Sequence, residues 1–446
     1  MIEDYTKIYF IGIGGIGMSS LALYFLDKSK TVGGYDKTKT DLTINLQNRG
    51  AFIHYNLKIS EIPLEFRNKQ DTLIIYTPAI SKDNIELDFF IKNKYKLLKR
   101  SEVLGLISKN KFCIAIAGTH GKTTTSIILS HLLYENNISF TSFVGGISEN
   151  YNSNYIEKGQ DIILVEADEF DRSFLTLKPN IACITSIDMD HLDIYNSKKE
   201  LQNSFNEFAS NLEKDGMLFK NFDLGIDGFS YGFDSNADYS IANYKNINDS
   251  SFFDILYKNG KCENIKFEMP GKHNASNALA AFAICKNLKI NDADLKKSLG
   301  TFSGVKRRFT YVLRSPKILI DDYAHHPKEI RAIQNSIFSL YPEKIIMAIF
   351  QPHLFSRTRD FMDEFAKSLS MFHEIVLLDI YPAREEPIKD INSSKLLNKI
   401  NNNNKKLLQK IELKNHIINS DADVIVVMGA GDISNEVEKI KNAILI

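Results

Sequence analysis

Short apolar runs alternate with longer stretches of mixed polar and apolar residues along almost the whole chain. Each run is rich in β-branched or aliphatic side chains. They are residues 7–13, 72–76, 112–117, 161–166, 181–187, 318–322, 345–350, 375–380 and 424–428. Apolar runs without alternation are typical of parallel strands that are covered on both faces. Since helix-like stretches follow several of them, the pattern predicts βαβ units and parallel sheets.

The predicted strands fall into three clusters, and each cluster predicts one α/β domain. The first cluster ends near residues 100–105, the second begins at Phe112, and the third begins at Ile318. Residues 234–269 alternate between polar and apolar, which favours antiparallel hairpins beside the middle sheet. The predicted domains are residues 1–107, 108–307 and 308–446.

Composition refines this picture by exclusion. The 446 residues include 55 Lys and Arg and 55 Asp and Glu, so no net charge remains to recruit nucleic acid or an anionic membrane. The four cysteines form no CxxC pair, which argues against a zinc ribbon and a disulfide scaffold. No apolar run approaches the ~18 residues of a membrane span, and the first residues do not resemble a signal peptide. We therefore expect a soluble, cytoplasmic protein with several domains.

A glycine-rich turn joins the first predicted strand to a helix-like run. Its sequence GIGGIG provides Gly12, Gly14, Gly15 and Gly17. Glycine lets backbone N–H groups approach a pyrophosphate at a helix N-terminus, and Asp36 follows about 20 residues later, close to where a ribose-binding acid is expected. The pattern indicates a nucleotide diphosphate without saying which one. A tight turn without a ligand and a solvated loop acid remain open interpretations.

A second glycine-rich turn follows the run at residues 112–117 and precedes another helix-like stretch. Its residues are Gly118, Thr119, His120, Gly121, Lys122, Thr123 and Thr124. In such a loop the N–H groups cradle phosphates, the lysine neutralises charge on the β- and γ-phosphates, and the first threonine hydroxyl ligates Mg²⁺. The full GxxxxGK[ST] pattern needs glycine at position 116, where this chain has Ile116. Two phosphate sites favour an enzyme that spends ATP on a nucleotide-tethered substrate.

Acidic residues and a histidine follow two further predicted strands. Glu166 closes the strand at residues 161–166, where a carboxylate beside the phosphate-loop strand is well placed for Mg²⁺. For Asp168, Glu169 and Asp171, a solvated acidic turn is an equally good interpretation. His191 lies in the turn DMDHLD, where it is compatible with a metal ligand and with an ordinary loop histidine.

Further polar side chains are candidates for ligand contacts in the second half of the chain. They are Asn274, Asn277, Arg308, Asp322, His326 and Arg357. The two asparagines share a helix face and can read an adenine edge, although asparagine is also a common helix cap. The last three follow predicted strands of the third domain, at the strand ends that hold ligands. An arginine there can hold a carboxylate bidentately.

Nine motifs resemble, in order and spacing, the Mur ligases of peptidoglycan synthesis. They are GIGGIGMSSLA, GTHGKTTT, VEADEFD, DMDHLD, GKHNASNALAA, GVKRRF, DDYAHHPKEI, FQPHLFSRTRDF and YPAREEP. The resemblance covers residues 8–431, and the GIGGIGMS and DDYAHHP forms point to the member that adds alanine. It implies an α/β fold with three domains: a Rossmann-like domain for a UDP-sugar, a central P-loop ATPase domain, and a C-terminal Rossmann-like domain for the amino acid.

The resemblance also implies the reaction and its participants. The substrates would be UDP-N-acetylmuramate and L-alanine, joined as an amide with ATP and Mg²⁺, by a monomer or homodimer. Catalytic roles fall to Lys122, Glu166 and His191, and Thr123, Glu166 and His191 would ligate metal. The glycines of the first turn and Asp36 would bind the UDP-sugar.

The remaining implied roles lie in the second half of the chain. The resemblance places Asn274 and Asn277 at adenine, Arg308 at phosphate, Asp322 at ribose, and His326 and Arg357 at the amino acid. One departure is Leu354, which stands where the family commonly has arginine, so the amino-acid carboxylate depends on Arg357.

Three other functions remain open at this point. A recycling ligase that attaches a whole tripeptide to the same UDP-sugar typically lacks the GIGGIGMS form. An NAD-dependent dehydrogenase would explain the first glycine turn and leave GTHGKTTT unexplained. A non-enzymatic nucleotide-binding scaffold would leave Lys122, Glu166 and His191 without a purpose.

Overall fold

The computed structural model describes residues 2–81, 83–189, 195, 197–247, 249–383 and 385–445. These residues form two compact units. The first comprises residues 1–188, 198–239 and 280–298, and the second comprises residues 189–197, 240–279 and 299–446, each apart from its undescribed positions. Within the described residues no helix is both long and apolar enough to cross a bilayer.

The N-terminal part of the first unit is a five-stranded parallel sheet in the order β3-β2-β1-β4-β5. Its strands are β1 Lys7–Ile11, β2 Thr31–Tyr35, β3 Phe52–His54, β4 Thr72–Tyr76 and β5 Lys96–Lys99. Its helices are α1 Ile16–Asp27, α2 Asp41–Asn48, α3 Ile85–Lys92 and α4 Arg100–Ser108. The register pairs Ile11 with Tyr35, so the turn after β1 lies beside the first residue after β2.

The first unit contains a second sheet, in which β12-β11-β10-β6-β9-β7-β8 are neighbours. Its pairs are parallel except β7 with β8. The elements are β6 Phe112–Ala117, α5 Lys122–Glu135, β7 Phe140–Ser148, β8 Ser153–Glu157, β9 Ile162–Glu166, β10 Ile181–Ile184, α6 Lys198–Ser210, β11 Met217–Asn221 and β12 Phe229–Gly232. Because β6 lies between β9 and β10, the loop after β6 faces the residues that end both neighbours.

Three more strands follow, in the segment whose alternating pattern predicts antiparallel hairpins. They are β13 Tyr239–Ile247, β14 Ser250–Tyr257 and β15 Gly260–Phe267. Strands β14 and β15 pair antiparallel, with Ser251 opposite Phe267. Two helices come next in the chain, α7 Lys272–Asn287 and α8 Asp292–Gly300.

The C-terminal part of the second unit is a six-stranded sheet in the order β16-β17-β21-β18-β19-β20, in which only β16 with β17 is antiparallel. The strands are β16 Thr310–Leu313, β17 Ile318–Asp322, β18 Ile346–Phe350, β19 Glu374–Leu377, β20 Lys405–Leu407 and β21 Val424–Met428. The helices are α9 Pro327–Leu340, α10 Phe355–Asp360, α11 Met362–Leu369, α12 Ser393–Lys399, α13 Leu413–Ile418 and α14 Val437–Ile444. Ile320 and Val426 pack in a core on one face, and Leu319 and Val427 pack in a core on the other. Burial on both faces explains why these strands do not alternate.

The predicted α/β architecture with three sheets is confirmed. Three predicted strands extend two or more residues past the observed ends. The run at residues 375–380 ends as a strand at Leu377, and the other two end early for local reasons. The run at residues 7–13 ends as a strand at Ile11, because Gly12 turns the chain with φ +86°. The run at residues 181–187 ends at Ile184, because Thr185 bonds to the last residue of β6 and Ser186 bonds to the loop that follows it.

Candidate functional site

The first glycine turn and Asp36 lie together, as the sequence predicts. The carboxylate of Asp36 accepts a hydrogen bond from the backbone N–H of Gly14, with 2.8 Å between Oδ2 and the nitrogen. Its other oxygen accepts the N–H of Thr38 at 3.0 Å. Asp36 therefore fixes the turn itself, and its role toward a ribose stays a prediction.

Arg100 is a neighbour of this turn that the sequence pattern does not single out. A Cβ atom on Gly17 would overlap the guanidinium of Arg100, so the glycine lets this cation approach the first turn of α1. The only sequence signal is its position directly after β5. Because β5 and β1 are separated by β4 in the sheet, the pattern alone does not reveal the approach.

The second glycine turn is anchored to the segment that follows β10. The N–H of His120 donates to the hydroxyl of Ser186 at 2.8 Å, and the hydroxyl of Thr119 donates to the carbonyl of Asp188 at 3.0 Å. Gly118 and Gly121 have φ of +130° and +86°, which L side chains rarely adopt. The loop therefore has one defined shape, with α5 beginning at Lys122 directly after it.

Thr123 and Glu166 are brought together, as a shared metal-binding role requires. The Thr123 hydroxyl donates to Oε1 of Glu166 at 2.8 Å, and the N–H of Gly145 donates to Oε2 at 2.6 Å. A hydroxyl and a carboxylate at the end of a parallel strand are oxygen ligands of the kind Mg²⁺ prefers. These residues fit the ion, although the described part of the chain holds no group of three or more His, Cys, Asp or Glu side chains able to bind a metal. The predicted metal ligand His191 lies outside the described residues.

Lys122, which is partly buried, pairs with a glutamate that the sequence leaves ambiguous. Its Nζ lies 2.7 Å from Oε2 of Glu169 and donates to the carbonyl of Gly118 at 2.6 Å. The side chain of Glu169 is 1% exposed, so the interpretation as a solvated acid is wrong for this residue. Burial lowers the pKa of Lys122, but the carboxylates of Glu169, Asp168 and Glu166 outweigh it and raise the pKa above its ordinary value.

The paired amides lie on α7, three residues apart and both buried. The side-chain N–H of Asn274 donates to the carbonyl of Pro270 at 2.8 Å. This bond fixes the orientation of the Asn274 amide at the start of the helix. Adenine binding by Asn274 and Asn277 stays a prediction.

Asp322, at the end of β17, accepts two backbone hydrogen bonds, one from the residue just before β16 and one from the turn after β17. Its oxygens accept the N–H groups of Phe309 and Ala324, both at 2.7 Å. Burial raises the pKa of Asp322 to about 7, against the opposing effect of Arg308. The guanidinium of Arg308 lies 5.0 Å from the ring centre of Tyr323. Both oxygens of Asp322 thus serve the backbone, and its ribose role stays a prediction.

Histidines and an arginine follow the ends of β17 and β18. Arg357 is 7% exposed, and its Nη1 lies 3.4 Å from Nδ1 of His353. The ring of His353 stacks on Tyr381 at 5.7 Å between centres. His326, which is 3% exposed, caps the start of α9 and accepts the N–H of Lys328 at its Nδ1. His353 and Tyr381 are additional members of this group, and their positions after strand ends are the sequence signal that could have found them.

Leu354 has an unusual backbone in the same group. Its φ of +71° lies where side chains with a Cβ are disfavoured. Its N–H donates to the carbonyl of Tyr381 at 3.0 Å, and its carbonyl accepts the hydroxyl of Thr358 at 2.8 Å. These bonds hold Leu354 at the start of α10.

Three family models match the chain in succession. They describe the Mur ligase family catalytic domain at residues 7–112, the Mur ligase middle domain at residues 116–285 and the Mur ligase glutamate ligase domain at residues 307–431. Together the matches cover most of the chain.

Curated relatives match the chain along its whole length. A protein of Christiangramia forsetii named UDP-N-acetylmuramate–L-alanine ligase is 50% identical over 446 residues, covering 100% of this chain and 99% of the relative. A protein of Flavobacterium psychrophilum with the same name is 50% identical over 441 residues, covering 99% and 98%.

Solved structures match the fold. The UDP-N-acetylmuramate–alanine ligase of Thermotoga maritima superposes with a TM-score of 0.83 at 27% identity, covering 98% of both chains. A murein peptide ligase from Psychrobacter arcticus superposes with a TM-score of 0.73 at 20% identity, also covering 98% of both chains. The second likeness concerns the fold alone.

Proposed function

The chain belongs to the Mur ligase family, and we propose that it joins L-alanine to the lactyl carboxylate of UDP-N-acetylmuramate in an ATP-dependent reaction of peptidoglycan synthesis. The observation that carries the proposal is full-length identity of 50% to relatives named for that reaction. The arrangement of Lys122, Thr123 and Glu166 around the phosphate loop supports the ATP-dependent part of it.

The reaction proceeds in two steps that share one activated intermediate. A carboxylate oxygen of the sugar attacks the γ-phosphorus of ATP, so that a C–O–P bond forms and ADP leaves. The free amine of L-alanine then attacks the acyl carbon of this acyl phosphate, and phosphate leaves from the tetrahedral intermediate. The proton lost from the amine passes to a base, and the product is an amide, ADP and phosphate.

The phosphate loop binds the nucleotide and orients its γ-phosphate. The N–H groups of residues 122–124, at the start of α5, bind phosphate oxygens, and the ammonium of Lys122 offsets the charge on the transferring group. Thr123 and Glu166 would hold Mg²⁺, with His191 as a further ligand, and the ion supplies charge neutralisation at the phosphates. Catalysis of this kind depends on positioning and electrostatics.

The other proposed contacts follow the same order along the chain. The first glycine turn, with Asp36, holds the UDP-sugar, in a domain spanning residues 1–107. Asn274 and Asn277, in the domain spanning residues 108–307, hold adenine. The domain spanning residues 308–446 provides the remaining contacts. Arg308 binds phosphate, Asp322 binds ribose, and L-alanine is held by His326 and Arg357.

The experiment that tests the proposal is a phosphate-release assay with the purified chain. We expect release only when ATP, UDP-N-acetylmuramate and L-alanine are all present, and a panel with glycine and L-serine measures selectivity. Release with L-Ala-γ-D-Glu-diaminopimelate in place of L-alanine would instead indicate the recycling ligase. Absence of release, together with a change in nicotinamide fluorescence, would indicate a dehydrogenase.

A further inference from the structure

The ammonium of Lys122 is already engaged by acceptors of its own chain. Besides Glu169 and the carbonyl of Gly118, the carbonyl of Thr119 lies 3.5 Å from Nζ. A lysine ammonium has three donors and no more. A phosphate oxygen can therefore accept a hydrogen bond from Lys122 only by replacing one of these acceptors.

Two glutamates at or just after the end of β9 each bind one residue of the phosphate loop. Glu166 accepts from Thr123, and Glu169 accepts from Lys122, the adjacent loop residue. The Lys122 side chain is 12% exposed and that of Glu169 is 1% exposed, so water screens this ion pair little. A charge-assisted bond in such surroundings is among the stronger contacts available to a side chain.

The backbone that presents Glu169 is held in a conformation of high energy. Asp171 and Arg172 both have left-handed φ values, 54° and 53°, although neither is glycine. The N–H of Arg172 donates to the carbonyl of Glu169 at 3.0 Å, which ties this bend to the glutamate. Strained backbone of this kind persists where the surrounding structure enforces it, and it clusters at functional sites.

We propose that Glu169 is a positioning residue that competes with nucleotide phosphate for Lys122, so that ATP binds by taking the ammonium over from this carboxylate. The inference rests on the proposed ATP-dependent function. Before ATP binds, Glu169 keeps the buried ammonium compensated and directed along the loop. When ATP binds, a phosphate replaces a carboxylate that is also negatively charged. The ATP affinity is therefore weaker than it would be if Lys122 had no carboxylate partner.

The test is the dissociation constant of ATP, measured calorimetrically in EDTA so that metal ligands do not contribute. Glu169→Gln keeps the size and an acceptor oxygen but removes the charge that competes with phosphate. We expect it to tighten ATP binding about fivefold, since a charge-assisted bond to Lys122 becomes a neutral one. Glu169→Asp draws the carboxylate back, so a smaller tightening is expected from this second variant.

Asp171→Asn provides a matched control for general charge. Asp171 lies two residues from Glu169 and pairs with Lys99 at 3.3 Å, without contact to Lys122. Its substitution removes one negative charge from the same segment, and we expect an unchanged dissociation constant. An equal tightening in Asp171→Asn would overturn the proposal, because it would assign the effect to distant charge.

A double-mutant cycle shows whether Glu169 acts through Lys122. In a Lys122→Ala background, Glu169→Gln should leave the ATP dissociation constant unchanged, because the competed group is gone. A wild-type chain that binds no ATP, either in EDTA or with Mg²⁺ present, would refute the proposed function itself. A wild-type chain that binds ATP, beside a folded Glu169→Gln variant with equal or weaker affinity, would refute only the competition.

Discussion

The hydroxyl of Thr123 and the carboxylate of Glu166 are joined by a hydrogen bond of 2.8 Å, although the two residues stand 43 positions apart in the chain. Sheet order explains the contact, because β6 and β9 are neighbours and the register pairs Ile116 with Glu166. The residues that follow β6 and those that end β9 must then meet at one edge. This closeness is what the proposed Mg²⁺ site at Thr123 and Glu166 requires.

Thr123→Val tests this shared role. The variant keeps the shape of the side chain and loses the hydroxyl, so we expect the Mg²⁺ concentration for half-maximal phosphate release to rise about tenfold. Thr125→Val is the matched control, because the Thr125 hydroxyl is buried and has no hydrogen-bond partner in the described part of the chain. An unchanged Mg²⁺ dependence in Thr123→Val would argue against the role.

Lys122→Ala removes the cation of the phosphate loop. Turnover should fall by several orders of magnitude, since the ammonium acts on charge that develops during phosphoryl transfer. The ion pair with Glu169 adds a cost in stability of about 2 kcal/mol, because a carboxylate that is 1% exposed loses its cation. Adding Glu169→Gln should recover stability without recovering turnover, as seen by thermal melting beside phosphate release. Wild-type rates of ADP release from purified Lys122→Ala would sink the catalytic assignment.

The sequence predicts those parts of the site whose geometry is local. Lys122 and Thr123 follow a strand and open a helix, so their position relative to the loop is set within a few residues. The burial of Glu169 depends on the bend at Asp171 and Arg172, and no sequence pattern predicts this bend. The sequence therefore leaves a solvated turn open where the structure has a buried ion pair.

Contacts between residues far apart in the chain are also not predictable from the sequence pattern in other parts of the molecule. The alternation of apolar runs predicts three sheets, because burial on both faces leaves a signature in each strand. The approach of Arg100 to Gly17 depends on how α4 follows β5, and the two backbone bonds of Asp322 depend on where Phe309 lies. Neither relationship leaves a periodic trace in the sequence.

A buried carboxyl in the N-terminal sheet predicts a pH dependence of stability. Glu86 is fully buried and accepts a hydrogen bond from Tyr9 at 2.7 Å, while His54 lies 3.4 Å away. Burial raises the pKa of Glu86 to about 7 from an ordinary value of 4.5, and Glu61 adds to the rise while the Tyr9 bond opposes it. A raised pKa means that the stabilising contribution is complete below about pH 4.5 and is lost as the pH rises through about 7.

His54 has the opposite effect on stability, because burial lowers its pKa. Its stabilising contribution is present above pH 6.5 and is lost as the pH falls. Glu86→Gln removes only the loss of stability that occurs as the pH rises through the pKa of Glu86. Between about pH 5.5 and pH 8 the variant should gain about 2 kcal/mol relative to wild type, measured by urea unfolding of the full chain. Asp88→Asn, on the same helix and exposed, should show no such gain. A Glu86→Gln chain whose stability follows wild type at both pH values would contradict the assignment.

Arg357 offers the sharpest test of the proposed amino-acid contacts. It is 7% exposed, and Leu354 leaves it without the neighbouring arginine that the family commonly has. Removing a buried cation that holds a carboxylate costs a charge-assisted bond, so Arg357→Ala should raise the KM for L-alanine about 50-fold. The KM for ATP should stay within about twofold, since the carboxylate belongs to the amino acid alone.

Arg359→Ala is the matched control on the same helix, because Arg359 is exposed and pairs with Asp360 at 2.7 Å. Equal KM values for L-alanine in the two variants would show that Arg357 does not hold the carboxylate, and a rise in the KM for ATP alone would place it at the nucleotide.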